Sequence, residues 1–237
     1  MRLDKLLSNM GYGSRKETKI LLKSKAVEVN GSIAKDVSLH VNPETDEILV
    51  LGEKVVYTEF IYLMMNKPPG VISATEDKYD QTVIDLLEPK DQHFQPFPVG
   101  RLDKDTEGLL VITNDGQLTH QLLSPKKHVP KVYYAVIEGR VTEEDSERFK
   151  EGVTLDDGYL TKPGFLRIIR SEETSEIELT ITEGKFHQVK RMFEAVGKRV
   201  TYLQRIKMGG LALDANLKLG EYRFLKEEEL IALQQKE

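Results

Sequence analysis

Apolar positions recur along the chain with two periods, and the switches between them mark out the elements. Leu3, Leu6, Leu7 and Met10 follow the i, i+3, i+4, i+7 spacing of a short amphipathic helix, which Gly11 and Gly13 end. Ser14-Arg15-Lys16-Glu17 has the form of a capping box and predicts a second helix, with Arg15, Lys19 and Lys23 along one face and Lys16 adjacent. Val27 to Ile33 reads as a strand entering an Asn30-Gly31 hairpin turn, and Asp46 to Val56 as one or two short strands. Phe60 to Met65 is a β-rich run that Asn66-Lys67-Pro68-Pro69-Gly70 must end, because neither proline continues a sheet interior. Thr82 to Leu87 predicts a short helix. Leu109 to Thr113 is a continuous apolar run, the pattern of a buried strand. Asn114-Asp115-Gly116 turns it into a helix with Leu118 and Leu122 on one face.

The second half continues in the same way. Val132, Tyr134 and Val136 alternate with Tyr133, Ala135 and Ile137, so this strand is covered on both faces and its tyrosines point to opposite sides. Thr142 caps a surface helix running to Glu151, Gly152 to Pro163 is a hairpin or meander, and Arg167 to Arg170 is a strand. Glu176 to Thr182 alternates cleanly, and Glu183 to Phe193 turns into a helix with an apolar stripe of Phe186, Val189 and Phe193. An acidic helix lies near the end of the sequence. A small module over residues 1–57 and a larger domain over 58–237 are the expected division, with plausible linkers at Gly52-Glu53 and Thr58-Glu59.

Composition narrows the class. Hydrophobic content of 39% with 31% charged residues describes a soluble globular chain. The absence of cysteine excludes disulfides, thiolate zinc sites and a cysteine nucleophile, and fits a reducing compartment. No apolar run approaches the ~20 residues of a membrane span, and MRLDKLLSNM shows no cleavable signal pattern. A cytoplasmic protein without membrane contact, and a monomer, is the expectation. The net charge of −5 argues at first against a nucleic-acid partner, but its distribution does not. Residues 1–25 hold seven Lys/Arg against two acids, residues 185–208 seven against one, and residues 120–131 three lysines, two histidines and no acid. Basic islands on an acidic body suit local contact with phosphates.

The densest chemistry lies in Gly100 to Gly108, where Arg101, Asp103, Lys104, Asp105 and Glu107 stand between two glycines ahead of the apolar strand. Alternating charge of this kind suits a carboxylate kept ionised by a neighbouring cation. The plain alternative is an exposed turn with solvated charges. Spacing alone goes no further than an acidic active site. The string G-R-L-D closely resembles the signature of the pseudouridine synthases, in the branch named for the ribosomal small-subunit enzyme. That resemblance makes Asp103 the catalytic residue.

Further strings agree with it in order. The K-x-Y of Lys131 to Tyr133 matches a second motif, whose tyrosine stacks under the target base, and here that is Tyr133. E-G-K-x-H-Q-V-K-R-M-F matches a third, in which the basic residue after H-Q-V pairs with the catalytic carboxylate. This implies Lys190, where many relatives carry arginine. Lysine is a point charge rather than a bidentate fork, so Arg191 could share the role. Leu203 is the candidate to pack on the base, Arg101 either replaces the extruded nucleotide in the stack or binds phosphate, and Asn66 and Lys67 of N-K-P-x-G lie near the substrate cleft. The first 45 or so residues resemble the small RNA-binding domain named for ribosomal protein S-four. By that resemblance Ser14, Arg15, Lys16, Lys19 and Lys23 face phosphate.

The fold implied is α+β: a small α/β RNA-binding domain, then a catalytic domain with a mixed, largely antiparallel sheet flanked by helices around a central cleft. The implied reaction isomerises uridine to pseudouridine, breaking and remaking a bond to the same base, so it needs neither metal nor nucleotide cofactor. The implied partner is rRNA, 16S favoured, as naked RNA or a partly assembled ribosomal subunit. A 23S-modifying relative is the first alternative, and an RNA-binding or assembly factor without catalysis the second. Glycoside hydrolysis by Asp103 and Asp105 leaves the basic islands without a purpose.

Overall fold

The computed structural model describes residues 1–124 and 127–235, so Lys126 of the third basic island falls outside the described residues. The chain forms two compact units: Met1–Ile61 with Pro89–Gln95, and Tyr62–Glu88 with Pro96–Glu237.

In the first unit, α1 (Leu3–Asn9) and α2 (Arg15–Lys23) precede strands β1 (Val27–Val29), β2 (Ser32–Ile33), β3 (Ile48–Val50) and β4 (Glu53–Lys54). The strands form an antiparallel sheet in the order β2-β1-β3-β4. Asn30 and Gly31 have φ of 52° and 76°, the two left-handed residues that the hairpin turn requires. Ser14 caps α2 as the capping box predicts, its backbone N–H donating to Glu17 Oε2 at 2.7 Å. Leu3, Leu6, Leu7, Leu22, Val27, Ile48 and Val50 form the core. Thr18 and Leu22 face that core, while Ser14, Arg15, Lys16, Lys19 and Lys23 are exposed. The short helix α3 (Pro89–Gln92) belongs to this unit, and His93 Nε2 lies 2.8 Å from the Ser8 carbonyl.

The second unit is built on one sheet. Its strands are β5 (Tyr62–Lys67), β6 (Phe97–Pro98), β7 (Glu107–Thr113), β8 (Lys131–Glu138), β9 (Phe165–Arg170), β10 (Thr174–Ile181), β11 (Arg199–Met208), β12 (Leu211–Ala212) and β13 (Tyr222–Phe224). The order is β13-β5-β7-β11-β8-β10-β9, with β12 on β11 and β6 on β7. Among the described strands only β7 and β11 pair in parallel, so the sheet is mixed and largely antiparallel. Helices α4 (Gly116–Leu123), α5 (Glu143–Glu151), α6 (Gln188–Glu194) and α7 (Glu227–Gln234) flank it. Leu109 and Val111 of β7 pack with Met64, Leu118, Leu122, Met208 and Leu233 on one side.

Two local expectations fail. Thr82–Leu87 is not a helix: the Thr82 N–H donates to Asp85 Oδ2 at 2.8 Å and closes a single turn, and Thr82 bridges to Ile72 as extended chain. Pro89 then prevents propagation, and the helix that does form starts there. Phe186 does not join the apolar stripe of α6. His187 adopts φ 50° before the helix starts, so Phe186 is swung out, 70% exposed, and stacked on the His187 ring.

Candidate active site

The segment between β6 and β7 is held at its backbone. Ser73 Oγ donates to the Leu102 carbonyl and accepts from the Leu102 N–H, both at 3.0 Å. The Gly70 N–H donates to the Lys104 carbonyl at 2.7 Å. Lys67 is fully buried, and its ammonium donates to the carbonyls of Pro68, Lys104 and Thr106 at 3.0, 3.4 and 2.9 Å. Burial brings the Lys67 pKa down to about 8, against the pull of Asp105, Asp103 and Glu107. Gly108 has φ +102°, and a Cβ there would sit 2.3 Å from the Arg205 carbonyl. Glycine is therefore required where β7 meets β11. A rigid frame of this kind fixes Asp103 at the mouth of the strand.

Opposite it stands the start of α6. Lys190 Nζ contacts Asp105 Oδ1 at 2.6 Å and Oδ2 at 2.9 Å, and Asp103 Oδ2 at 3.4 Å. His187 Nε2 lies 3.7 Å from Asp103 Oδ1. Burial raises the Asp105 pKa, but the bond and charge of Lys190 outweigh it and hold the group below the usual carboxylate range. Beside this cluster opens a cleft of about 1040 Å³ lined by Arg101, Asp103, Lys131, Tyr133, Lys185 and Arg205, among others. A smaller recess of about 70 Å³ adds Leu203 to Asp103 and Tyr133. Tyr133 on β8 is the register partner of Arg205 on β11, and Ala135 that of Leu203, so Tyr133, Leu203 and Arg205 emerge on one face of the sheet. The site thus combines a carboxylate, a shared cation, an aromatic ring and an apolar side chain around one concave space. Nucleophilic or acid–base chemistry on a planar ring fits such a set.

Comparison with known proteins shows the family. The family model described as RNA pseudouridylate synthase matches residues 61–195, and that of the S4 domain matches residues 1–48. The chain belongs to the RNA pseudouridine synthases. An uncharacterized RNA pseudouridine synthase of Bacillus subtilis (strain 168) is 58% identical over 97% of each chain. The ribosomal small subunit pseudouridine synthase A of Escherichia coli (strain K12) is 38% identical over 98% of this chain and all of its own. A crystal structure of a pseudouridylate synthase superposes with a TM-score of 0.69 at 36% identity, covering 98% of this chain and 99% of the other. The protein is accordingly an RNA isomerase with an S4 domain.

Several residues stand in this pseudouridine synthase otherwise than expected. Lys190 contacts Asp103 at 3.4 Å but makes its shorter contacts, at 2.6 and 2.9 Å, with Asp105. Arg191 does not share the pairing: its guanidinium binds Asp156 and Asp157 and donates to the Phe186 carbonyl. Lys67 is fully buried, with its donors on loop carbonyls. Asn66 is also buried, its side-chain amide donating to the Leu217 carbonyl at 2.8 Å. Arg101 is exposed at the cleft. Sequence reasoning passed over His187, Lys131 and Arg205 as site residues. Alternation along β8 does put Lys131 on the Tyr133 face, and that signal was available.

Proposed function

We propose that this enzyme converts a uridine of 16S rRNA to pseudouridine in the cytoplasm, with Asp103 as the reacting carboxylate. The observation that carries the reading is the placement of Asp103 within reach of Lys190 and His187 on a cleft that also presents Tyr133 and Leu203. The target nucleotide leaves its stack, which costs a few kcal/mol, and enters the cleft. Tyr133 stacks on the uracil and Leu203 packs against it. Asp103 either attacks the sugar or removes a proton from it, and each route breaks the C1′–N1 bond with the electron pair passing to the base. The base then turns and rejoins C1′ through C5, which displaces the Asp103 carboxylate in the first route or is matched by return of the proton to the sugar in the second. C5 gives up its proton and N1 gains one, so the product is an isomer of the substrate. Arg101 at the mouth holds the flanking RNA. The exposed row Arg15, Lys16, Lys19 and Lys23, with Ser14 at its head, contacts phosphates through the S4 module.

The small-subunit substrate is supported by the full-length match to the Escherichia coli ribosomal small subunit pseudouridine synthase A. The test is pseudouridine mapping in 16S RNA, 23S RNA and partly assembled subunits with wild type, Asp103→Asn and Asp105→Asn. One 16S uridine should be converted by wild type, slowly by Asp105→Asn and not at all by Asp103→Asn. Conversion confined to 23S RNA would overturn the substrate, and an active Asp103→Asn would overturn the chemistry.

A further inference from the structure

Two cations form the inner wall of the cleft without a counter-ion. Arg205 is 2% exposed, its Nε donates to the Leu109 carbonyl at 2.8 Å, and its Nη2 is buried with no hydrogen-bond partner. Lys131 is 9% exposed, and among the described residues its ammonium has a hydrogen bond only to the Val129 carbonyl, at 2.9 Å. Among the described residues neither makes an ion pair with a carboxylate. Burial brings the Lys131 pKa down to about 8, and the neighbouring Arg205 charge adds to the effect. Burying two like charges together, one with an idle donor, is costly unless something negative arrives. Both line the cleft beside Tyr133 and Asp103.

The nature of the arriving charge follows from depth. A phosphodiester is tied to nucleotides on both sides and must stay near the rim, where the exposed Arg101 and Lys185 lie. A detached uracil is free to sit at the wall. Given the functional reading above, on which this inference rests, Tyr133 places the base against the pair, since Tyr133 is the register partner of Arg205. When C1′–N1 breaks, the electron pair goes to N1 and the charge spreads over O2 and O4.

We propose that Arg205 Nη2 and the Lys131 ammonium form a subsite for the uracil anion, stabilising the negative charge that the base carries between detachment and reattachment. Fixed donors aimed at developing charge in a water-poor site are the strongest single device of this kind. The pair also serves the second bond: it keeps the free base in the cleft while C5 turns toward C1′. No proton or electron is required beyond those of the isomerisation itself.

The experiment measures single-turnover consumption of the target nucleotide in rRNA transcripts bearing uridine or 5-fluorouridine there. Fluorine at C5 draws charge from the ring and makes the base a better leaving group, so it relieves the need for the subsite. Lys131→Met should slow consumption of uridine by roughly 10²–10³-fold, the scale of losing one such donor. The loss on 5-fluorouridine should be several-fold smaller, with RNA affinity and melting temperature near wild type. Lys131→Gln, a smaller polar change, serves in the same comparison should the methionine variant fail to fold. An equal loss on both substrates, or a salt-dependent loss of affinity marking a phosphate contact, would overturn the subsite while wild-type activity stands. A wild type that converts no uridine in any rRNA would overturn the functional reading itself.

Discussion

Replacing Lys67 with methionine tests whether the Asp103 loop is held from behind. Methionine keeps the length and apolar stem of lysine but removes an ammonium bonded to three carbonyls. The Lys104 carbonyl retains the Gly70 N–H, whereas those of Pro68 and Thr106 lose their lysine donor. Two unsatisfied carbonyls cost about 1–3 kcal/mol each. Removing a buried charge, already disfavoured enough to bring its pKa to about 8, offsets part of that. A net loss of about 2 kcal/mol remains, or roughly 4–8 °C in melting temperature for a domain of this size. Activity should suffer more than stability, because a displacement of about 1 Å at the reacting group costs on the order of 10²-fold. The assay is calorimetry paired with kcat and KM for pseudouridine formation. A fall in kcat with KM for RNA nearly unchanged is expected, since no RNA-facing side chain is lost. A variant melting with wild type and turning over within about threefold of it would refute the latch.

Gly108→Ala should be worse, since the new Cβ would meet the Arg205 carbonyl at 2.3 Å with φ at +102°. A loss of about 3 kcal/mol or more is expected, read as insoluble protein or a melting temperature lowered by about 10 °C. Melting within a couple of degrees of wild type would show that β7 and β11 can part there. Stability should also depend on pH in a defined window. Lys67 and Lys131 titrate near 8 when folded and near the ordinary 10.5 when unfolded, so between those values the unfolded chain binds more protons and stability rises with pH. Below that window both states are charged and these two lysines contribute no slope. Above about pH 10 the sign reverses, because burial and its bond to Glu107 keep Tyr202 protonated longest in the folded state. Urea midpoints at pH 7.5 and 9.5 should therefore increase, and by less in Lys131→Met; a decrease would contradict the sign.

The elements that sequence reading found are those whose pattern is local. The alternation of Glu176 to Thr182 became β10, with Ile177, Leu179 and Ile181 buried, and Leu118 with Leu122 became the inner face of α4. Strand β11 was not legible as a strand, although it is central. Its register shifts between Val200 and Tyr202 and again between Arg205 and Lys207, so period two breaks, and an arginine sits where an apolar residue would be expected. The burial of Lys67 was not legible for a similar reason, since an unpaired lysine is almost never fully buried. Spacing marked Asp103 and Asp105 together but gave no direction to side chains in a loop, so it could not tell which would meet Lys190 closely. Phe186 was misplaced by one left-handed residue, His187, a choice of backbone that periodicity does not register.

The strand order has a consequence for when the enzyme comes into being on the ribosome. Register partners such as Met65 and Tyr222, or Gly108 and Arg205, lie far apart in sequence, so the central pairings wait for late segments of the chain. A nascent chain that has emerged only as far as β7 carries Asp103 and its glycines but lacks Lys190, Arg205 and the strands on both outer flanks. It exposes the apolar side chains of β5 and β7 and their open strand edges, the kind of intermediate that chaperones shield. Catalytic competence is thus withheld until synthesis is nearly finished, whereas the small N-terminal sheet closes among its own neighbours in sequence. The protein acquires its means of gripping RNA well before its means of altering it.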